Sequence, residues 1–305
     1  MIDIVGKRYW FFGLSILIIV PGLIALFVWG LPLAIDFTGG SLLEVRIDSS
    51  KVPSSAQIVA IYEDLGIAEP LVQKLGENEI SVRSKSIDEA TKSAIVIEME
   101  ERLDLQVTIL RFDSVGPAVG AEVAERAAGA VGLATVGILA YITYAFRGVP
   151  NAMRYGVAAI LAMLHDVALV VGVEAILGHF LGWEVDALFI TALLTIIGFS
   201  VHDSIVVFDR IRENLRIYRR LDYETLVNHS IVQTLDRSIN TQLTVMLTLI
   251  CLLLFGGVTT QHFVTILLIG VFSGTYSSIF NAAPILVVWE NKEWLRLKRL
   301  FQTSG

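Results

Sequence analysis

The stretch Gly198–Asn214, GFSVHDSIVVFDRIREN, follows the apolar run DALFITALLTII without a break. An apolar run of this length is typical of a helix that crosses a lipid bilayer. His202 and Asp203 stand inside it, although a charge near the bilayer centre costs at least about 2.5–3.5 kcal/mol. Asp209 and the charges after it mark the end of the run. The feature to be explained is therefore the His202–Asp203 pair within the span.

The composition of the whole chain agrees with a membrane protein. Of its 305 residues, 54% are hydrophobic and 17% are charged, whereas ordinary soluble domains carry about 25% charged residues. Six segments have the length of about 20 residues and the apolar character that a span requires. They lie near 10–31, 121–145, 155–178, 186–208, 238–257 and 262–289. The sequence thus predicts an α-helical polytopic membrane protein with six transmembrane helices.

Residues 36–120, between spans 1 and 2, have the composition of a soluble domain. Their periodicity predicts the order strand–helix–strand–strand–helix–strand, which is the ferredoxin-like α+β pattern. Ser54 or Ser55 is expected to cap the first helix, and Ser86 with Glu89 has capping-box spacing before the second. A Gly-Glu-Asn turn is expected between the second and third strands. This fold serves many functions, so it assigns none.

Basic residues in the short loops predict the orientation of the spans. Lys or Arg residues precede span 1, flank the loop after span 2, fill the loop after span 4 and follow span 6. The loops after spans 3 and 5 contain none. We therefore expect both termini in the cytoplasm and residues 36–120 on the extracytoplasmic side.

The predicted domains follow from this layout. They are residues 1–35 with span 1, the outer domain 36–120, residues 121–290 with spans 2–6, and a basic cytoplasmic tail, 291–305. Residues near 209–236 have the pattern of an amphipathic helix at the cytoplasmic interface. A solvated basic loop is the alternative for this segment.

Small residues recur at four-residue spacing in two spans. Span 6 contains Gly270, Gly274 and Ser278, and span 2 contains a similar stripe at Ala124, Ala128 and Gly132. Stripes of this kind let helices approach one another closely. Packing inside the bundle is favoured over a contact between subunits for both.

Ionisable residues that are expected to be buried occur at three places in the predicted spans. His165 and Asp166 lie in span 3, His202 and Asp203 in span 4, and Arg237 at the start of span 5. Because buried charges need partners or water, we expect all five to face the interior of the bundle. Asp203 and Arg237 both lie toward the cytoplasmic side, so a pair between them is geometrically allowed.

These residues have two interpretations. They form a proton or ion relay, in which burial and a nearby arginine act on a carboxyl group in opposite directions, or a static cluster that holds the helices together. A relay is favoured for Asp203, and the two interpretations are balanced for Asp166. For His165 and His202 a structural hydrogen-bonding role is favoured, and Glu174 is interpreted as interfacial.

Several classes of function are disfavoured. Cys251 is the single cysteine, so the chain cannot form an internal disulfide. No Cys/His cluster has metal-ligand spacing, and no Gly-rich loop precedes Lys-Ser or Lys-Thr. We expect no cofactor, no metal, no nucleic acid and no enzymatic activity.

Three stretches carry a family resemblance. The first, LAIDFTGGSLLEV, contains Asp36, Phe37, Thr38, Gly39 and Gly40. The second, ALFITALLTIIGFSVHDSIVVFDRIREN, contains Gly198 and Ser200, and the third is DRSINTQLTVMLT. Together, with LHDV in span 3 as support, they resemble the SecF family, the smaller subunit of the SecD–SecF protein-export complex. The resemblance covers nearly the whole chain.

The resemblance implies a role in protein export that is assisted by the proton motive force in the bacterial cytoplasmic (inner) membrane. It implies an architecture similar to half of an RND-type transporter. The implied partners are SecD, the SecYEG channel, the translocating polypeptide, protons and YajC. The membrane acid implicated in proton transfer maps onto Asp203, and the span 5 arginine maps onto Arg237. The family usually has Asn where this chain has His202, which leaves open whether Asp203 titrates alone.

Two other functions remain as alternatives. In the first alternative, the chain is half of a proton-coupled RND-type exporter of small molecules. The single small outer domain disfavours this alternative. In the second alternative, the chain is a non-transporting scaffold in which polar residues only lock the helices together. This alternative predicts that Asp203 and Arg237 can be jointly replaced by apolar residues with export retained, because buried ion pairs can be exchanged in this way in some proteins.

Overall fold

The computed structural model describes residues 2–47, 53–68, 70–74 and 78–293, with the backbone alone at 258 and 259. Its elements in chain order are α1 (Arg8–Trp29), α2 (Ile35–Thr38), β1 (Gly40–Ile47), α3 (Ser55–Asp64), β2 (Leu71–Lys74), β3 (Glu79–Ser84), α4 (Glu89–Leu103), β4 (Val107–Val115), α5 (Pro117–Ala145), α6 (Ala152–Leu181), α7 (Ala187–Ile217), α8 (Tyr223–Phe255), α9 (Val258–Ser277) and α10 (Ala283–Glu290). A 3-10 turn, Val5–Lys7, precedes α1, and a π-helical turn, Ser278–Ala282, joins α9 to α10.

Six helices in the described part of the chain are long and apolar enough to cross a membrane. They are α1 with its preceding turn, α5, α6, α7, α8, and the continuous helix Thr260–Glu290 that contains α10. The predicted fold class, a polytopic α-helical membrane protein with six spans, is confirmed. The chain divides by its contacts into two compact units, of which Leu33–Gly129 is one and the helices outside that range form the other.

The unit Leu33–Gly129 contains a four-stranded antiparallel sheet in the order β2-β3-β1-β4. With α3 and α4, this is the predicted ferredoxin-like topology. Alternation along β1 buries Leu43, Val45 and Ile47 against both helices and the neighbouring strand. Ser54 caps α3 through a capping box with Gln57.

The start of α4 differs from the prediction. Asp88, not Ser86, is the N-cap, because its carboxylate accepts a hydrogen bond from the Thr91 amide at 2.9 Å. Aspartate serves this position as well as serine does, so the Ser-x-x-Glu spacing selected the wrong register. The expected Gly-Glu-Asn turn includes residues that lie outside the described part of the chain.

Two consecutive glycines lead into β1. Gly39 and Gly40 have φ angles of +72° and +126°, which residues with side chains rarely adopt. A Cβ atom at Gly39 would lie 2.7 Å from Cα of Pro117, and one at Gly40 would lie 2.7 Å from the carbonyl oxygen of Ser84. Thr38 Oγ1, just before them, accepts a hydrogen bond from Arg83 at 2.6 Å. The backbone of this segment therefore requires glycine at positions 39 and 40.

The helical unit is built around α9, which packs against α6, α7 and α8. A Cβ atom at Gly270 would lie 2.1 Å from Ile196 of α7, and one at Gly274 would lie 3.3 Å from Cα of Ser200. The stripe of small residues in span 6 therefore packs inside the bundle, as predicted. Gly132, from the corresponding stripe in α5, makes no such contact, since a Cβ atom there would meet nothing within 4 Å.

The segment near 209–236 is not a separate amphipathic helix. Its first residues continue α7 to Ile217, and its last residues belong to α8, which begins at Tyr223. Asp222 caps α8 by accepting a hydrogen bond from the Thr225 amide at 2.9 Å. Asn214 of α7 is fully buried and donates to Ser230 Oγ of α8 at 2.8 Å. This contact extends the packing of the two helices beyond their apolar parts.

Candidate functional site

Asp203 lies on the buried face of α7, where it is 2% exposed. Its Oδ2 accepts a hydrogen bond from Nε2 of Gln242 on α8 at 2.5 Å. The amide of Gln242 is itself 3% exposed. Among the residues that the structure describes, no Lys or Arg makes an ion pair with Asp203. The carboxyl group is therefore held by a neutral partner in a buried position.

Other polar atoms lie on the same faces of these two helices. Ser200 precedes Asp203 by three residues and Ser238 precedes Gln242 by four, so each lies one turn away on the same face. Within the described residues, Ser200 Oγ, Ser238 Oγ and Gln242 Oε1 are buried without a hydrogen-bond partner. Buried polar groups are normally satisfied by protein or ordered water. These atoms are unsatisfied polar groups on the helix faces that carry Asp203 and Gln242.

Asp166 of α6 is 1% exposed and has a different environment. Ser273 Oγ donates to its Oδ1 and Ser277 Oγ donates to its Oδ2, both at 2.6 Å. Nδ1 of the adjacent His165 lies 3.0 Å from Oδ1. The His165 ring lies 6.1 Å from the ring of Tyr276 and nearly parallel to it. Asp166 is thus fixed by three groups, whereas Asp203 is held by one.

Helix α9 connects the two acids. Its Ser273 and Ser277 hold Asp166, and Gly274 between them packs against Ser200, one turn from Asp203. Measured along their helices from the loop that joins α6 to α7, both acids lie about 22–24 Å deep, at 1.5 Å per residue. We name this set the buried polar layer: Asp166, Ser200, Asp203, Gln242, Ser273 and Ser277.

The expectation that all five ionisable residues face the interior is wrong for His202 and Arg237. Both are exposed on the surface of this chain. Asp203 and Arg237 do not pair, and Arg237 has no ion-pair partner among the described residues. The physical reason is the helical rotation of about 100° per residue: Asp203 and Ser238 occupy the buried faces, which turns their neighbours His202 and Arg237 away.

His202 and Arg237 belong to two exposed rows, one on each of the packed helices α7 and α8. We name them together the exposed polar face: Thr191, Thr195, Gly198, His202, Arg237, Asn240, Thr244 and Thr248. The threonine hydroxyls donate to backbone carbonyls one turn earlier in their own helices, at 2.7–3.0 Å. A Cβ atom at Gly198 would meet nothing within 4 Å. Nothing in this chain covers the exposed polar face within the described residues.

Sequence reasoning missed the groups that hold the acids. Gln242, Ser273 and Ser277 are ordinary polar residues in apolar runs, and their role depends on which helices meet. It also placed Glu174 at the interface, whereas the structure buries it completely, 3.0 Å from Nε2 of His262. A glutamate within an apolar stretch of a predicted span was the available signal.

Comparison with protein families gives two matches. The model described as "Protein export membrane protein SecD/SecF, C-terminal" matches residues 95–292. The model described as "SecD/SecF GG Motif" matches residues 24–51, which include Gly39 and Gly40.

Individual relatives give the same result over nearly the whole chain. The protein translocase subunit SecF of Anaerolinea thermophila is 58% identical over 295 residues, which cover 96% of each chain. The SecF subunit of Thermobaculum terrenum is 49% identical over 312 residues, which cover 98% of this chain and 97% of the relative.

Two crystal structures are also similar. SecDF from Thermus thermophilus, described as a translocon-associated membrane protein, is 34% identical with a TM-score of 0.82. SecDF in a super-membrane-facing form is 33% identical with a TM-score of 0.68. The matches cover 95% and 98% of this chain but only 39% and 40% of the SecDF chains, which are therefore much longer.

Proposed function

The chain belongs to the SecD/SecF family of protein export membrane proteins and is an auxiliary subunit of the Sec export machinery; from this premise we propose that it couples proton flow to export through Asp203. The proton would move through the buried polar layer during late steps of translocation. The observation that carries the proposal is the burial of Asp203 with an amide as its partner.

Removing a carboxylate from water is expensive unless a charge or several hydrogen bonds replace the water. The layer offers Asp203 one hydrogen bond from Gln242 and, among the described residues, no cation. Protonation removes the charge and gives the carboxyl group a donor. The protonation state of Asp203 is thereby linked to the packing of α8 on α7. A change in that packing would transmit force to the rest of the complex.

Asp166 suits a different role. Two serine hydroxyls and His165 hold its carboxylate, so it is already supplied with partners. We infer that Asp166 holds α9 against α6. This contact stays in place when the packing of α8 on α7 changes. His165 orients Asp166, in keeping with the structural role expected for this imidazole.

The partner is SecD, and we propose that SecD packs on the exposed polar face. A bilayer solvates His202, Arg237 and Asn240 poorly, so a second membrane protein that offers acceptors would stabilise this surface. Gly198 allows the close approach of another helix, because nothing of its own chain fills the space beside it. The proposal gives His202 a partner-facing role and separates it from Asp203.

The remaining partners and the orientation are part of the same proposal. We infer that the chain acts beside the SecYEG channel and the translocating polypeptide, with YajC as an additional partner, in the bacterial inner membrane. Both termini lie in the cytoplasm, and residues 36–120 face outward. The distribution of Lys and Arg among the loops supports this orientation.

Neither alternative is favoured by a specific observation. The relatives are named as translocase subunits, not as small-molecule exporters. A scaffold held by an Asp203–Arg237 pair does not fit a structure in which Arg237 is exposed and Asp203 binds Gln242.

The test is translocation of a preprotein into inverted membrane vesicles that contain SecYEG, SecD and this chain, with ATP and with or without a proton gradient. In Asp203→Asn we expect the stimulation by the gradient to disappear while ATP-driven insertion continues. Asp209→Asn on the same helix is the matched control, since Asp209 is exposed and pairs with Arg212. Full gradient stimulation in Asp203→Asn would reject the proposal.

A further inference from the structure

A second buried acid on α6 is not part of the buried polar layer. Glu174 is 0% exposed. Its Oε2 lies 3.0 Å from Nε2 of His262, in the first turns of α9. Its Oε1 is buried without a hydrogen-bond partner among the described residues. A carboxylate normally has several acceptor sites to satisfy, so Glu174 is poorly compensated as an anion.

Glu174 lies on the same buried stripe of α6 as Asp166. The residues Asp166, Val170 and Glu174 follow at four-residue spacing and are all at most 1% exposed. Eight residues separate the two acids, which places them about 12 Å apart along the helix. Glu174 is the one nearer to the loop that joins α6 to α7. The two acids are thus distinct sites at different depths.

The surroundings of the pair differ in access to solvent. The His262 side chain is 18% exposed, whereas Glu174 is inaccessible. Trp183 packs on the imidazole with the ring centroids 4.6 Å apart, and Phe189 lies 6.4 Å from it. These two aromatic rings form apolar walls beside the imidazole. Of the two side chains, only the imidazole is therefore in contact with solvent.

Other titratable groups at this end of the bundle are few. On α6, His179 stacks on Trp29 at 4.1 Å, and before α7, Asp186 accepts a hydrogen bond from the Phe189 amide at 2.7 Å. Glu184 precedes Asp186 in the same loop. Helix α1, which touches α6 where Gly22 meets Gly172, carries no titratable residue after Tyr9. On α9 the next titratable residue after His262 is Tyr276.

We propose that Glu174 and His262 form a second proton-binding site, at the end of the bundle where α6 connects to α7. A hydronium ion in the solvent gives its proton to Nδ1 and becomes water, which turns the neutral imidazole into an imidazolium. Its Nε2–H bond then breaks as an O–H bond forms on Oε2 of Glu174, which leaves a neutral imidazole and a neutral carboxylic acid. Imidazole suits this exchange because it gains and loses protons near neutral pH.

Proton binding at this site stands on its own geometry, whereas its use in export rests on the proposed function. On the proposed orientation the site lies near the extracytoplasmic surface, where protons enter under the normal gradient. It would load a proton on the side from which the gradient drives it, separately from the step at Asp203.

The test is infrared difference spectroscopy of the full chain with SecD in liposomes, between about pH 5 and about pH 8. We expect a protonated-carboxyl band that grows as the pH falls and is absent in Glu174→Gln. Glu125→Gln on α5, which changes an exposed glutamate, should retain the band. In His262→Asn the carboxamide keeps an N–H donor but neither gains nor loses protons between about pH 5 and about pH 8, so the band should lose its response to pH. His262→Asn also keeps the proposal testable if Glu174→Gln does not assemble with SecD.

A spectrum that is unchanged in Glu174→Gln, or a band that titrates normally in His262→Asn, would show that the pair is a static contact. The export assay separates this outcome from failure of the proposed function. In Glu174→Gln we expect gradient-stimulated export to fall about tenfold or more, with ATP-driven insertion unchanged. Normal stimulation in Glu174→Gln together with loss in Asp203→Asn overturns only the second site. Normal stimulation in both variants overturns the proposed function.

Discussion

His202 and Asp203 are neighbours in sequence but lie in opposite surroundings. Asp203 is buried in the polar layer against Gln242, whereas His202 is exposed among threonines and a glycine. The same contrast holds on α8 between the buried Ser238 and the exposed Arg237. The buried polar layer thus lies inside the chain, whereas the exposed polar face lies on its surface.

The largest effects are expected when Asp203 and Arg237 are replaced by leucine, singly and together. If the two residues act separately, Asp203→Leu abolishes gradient-driven export and Arg237→Leu weakens retention of SecD. The double variant should show both defects, with a coupling energy for SecD binding below about 0.5 kcal/mol. Pull-down and export assays on the same membranes measure the two effects. Restoration of export in the double variant would mean that the residues form a pair.

Gly270, at the buried contact of α9 with α7, and Gly198, on the exposed polar face, should respond differently to substitution by valine. Gly270→Val places its side chain into Ile196, where even a Cβ atom would lie 2.1 Å away. We expect the free energy of unfolding to fall by about 1–3 kcal/mol, as overpacking of a buried contact causes. Gly198→Val should leave the isolated chain intact, because nothing lies within 4 Å, but it should impair assembly with SecD. Thermal unfolding in detergent and copurification distinguish the two results.

Hydroxyl groups offer a milder comparison. Ser273→Ala or Ser277→Ala removes a hydrogen bond to the buried carboxylate of Asp166, which should cost about 1.5–3 kcal/mol each. Thr244→Val and Thr248→Val remove hydroxyls that bond only to their own helix, so changes within about 0.5 kcal/mol are expected. Equal losses of stability in the serine and the threonine variants would contradict the distinction between the buried polar layer and the exposed polar face.

The smallest effect concerns a buried acid that already has a cation. Arg8 binds Glu293 through two nitrogens, at 2.6 and 3.2 Å, and Tyr9 donates to it at 2.6 Å. Burial alone would raise the pKa of Glu293, but the hydrogen bonds from Arg8, Tyr9 and Asn291 outweigh it and hold the pKa below the ordinary value of 4.5. The stability that Glu293 contributes is therefore present above about pH 4.5 and is lost as the pH falls through the lowered pKa.

Melting curves in detergent from about pH 6 to about pH 3.5 test this prediction. Glu293→Gln should lower the melting temperature near pH 6, and the difference from the wild type should shrink in acid. Glu122→Gln, which changes an exposed ion pair with Arg126, should show little difference at any pH. A gap between Glu293→Gln and the wild type that stays constant down to the lowest pH would contradict a lowered pKa for Glu293.

Apolar length and periodicity were sufficient to predict the six helices and the order of strands and helices along the α+β domain. These features depend on local sequence and on the bilayer thickness. The rotation of each helix about its axis is not local, because it is decided by which neighbours pack against it. For this reason Asp203 and Asp166 were correctly placed inside, whereas His202 and Arg237 were not.

The prediction for Glu174 failed for the same reason but with the opposite error, because a residue expected at the interface is buried. Its position near the end of a predicted span favoured an interfacial location, yet packing of α6 against α9 buries it against His262. The two residues are 88 positions apart in sequence. A carboxylate in an apolar run was visible in the sequence, but its partner depends on the tertiary fold.

A crosslinking scan along α8, with a photoreactive amino acid in the assembled complex, tests directly whether SecD contacts the exposed polar face and not the buried polar layer. The scan places the probe at the exposed positions 237, 241 and 244 and at the buried positions 234 and 238. We expect crosslinks to SecD from the exposed positions and crosslinks only within this chain from the buried positions. Crosslinks to SecD from position 238, with none from position 237, would contradict it.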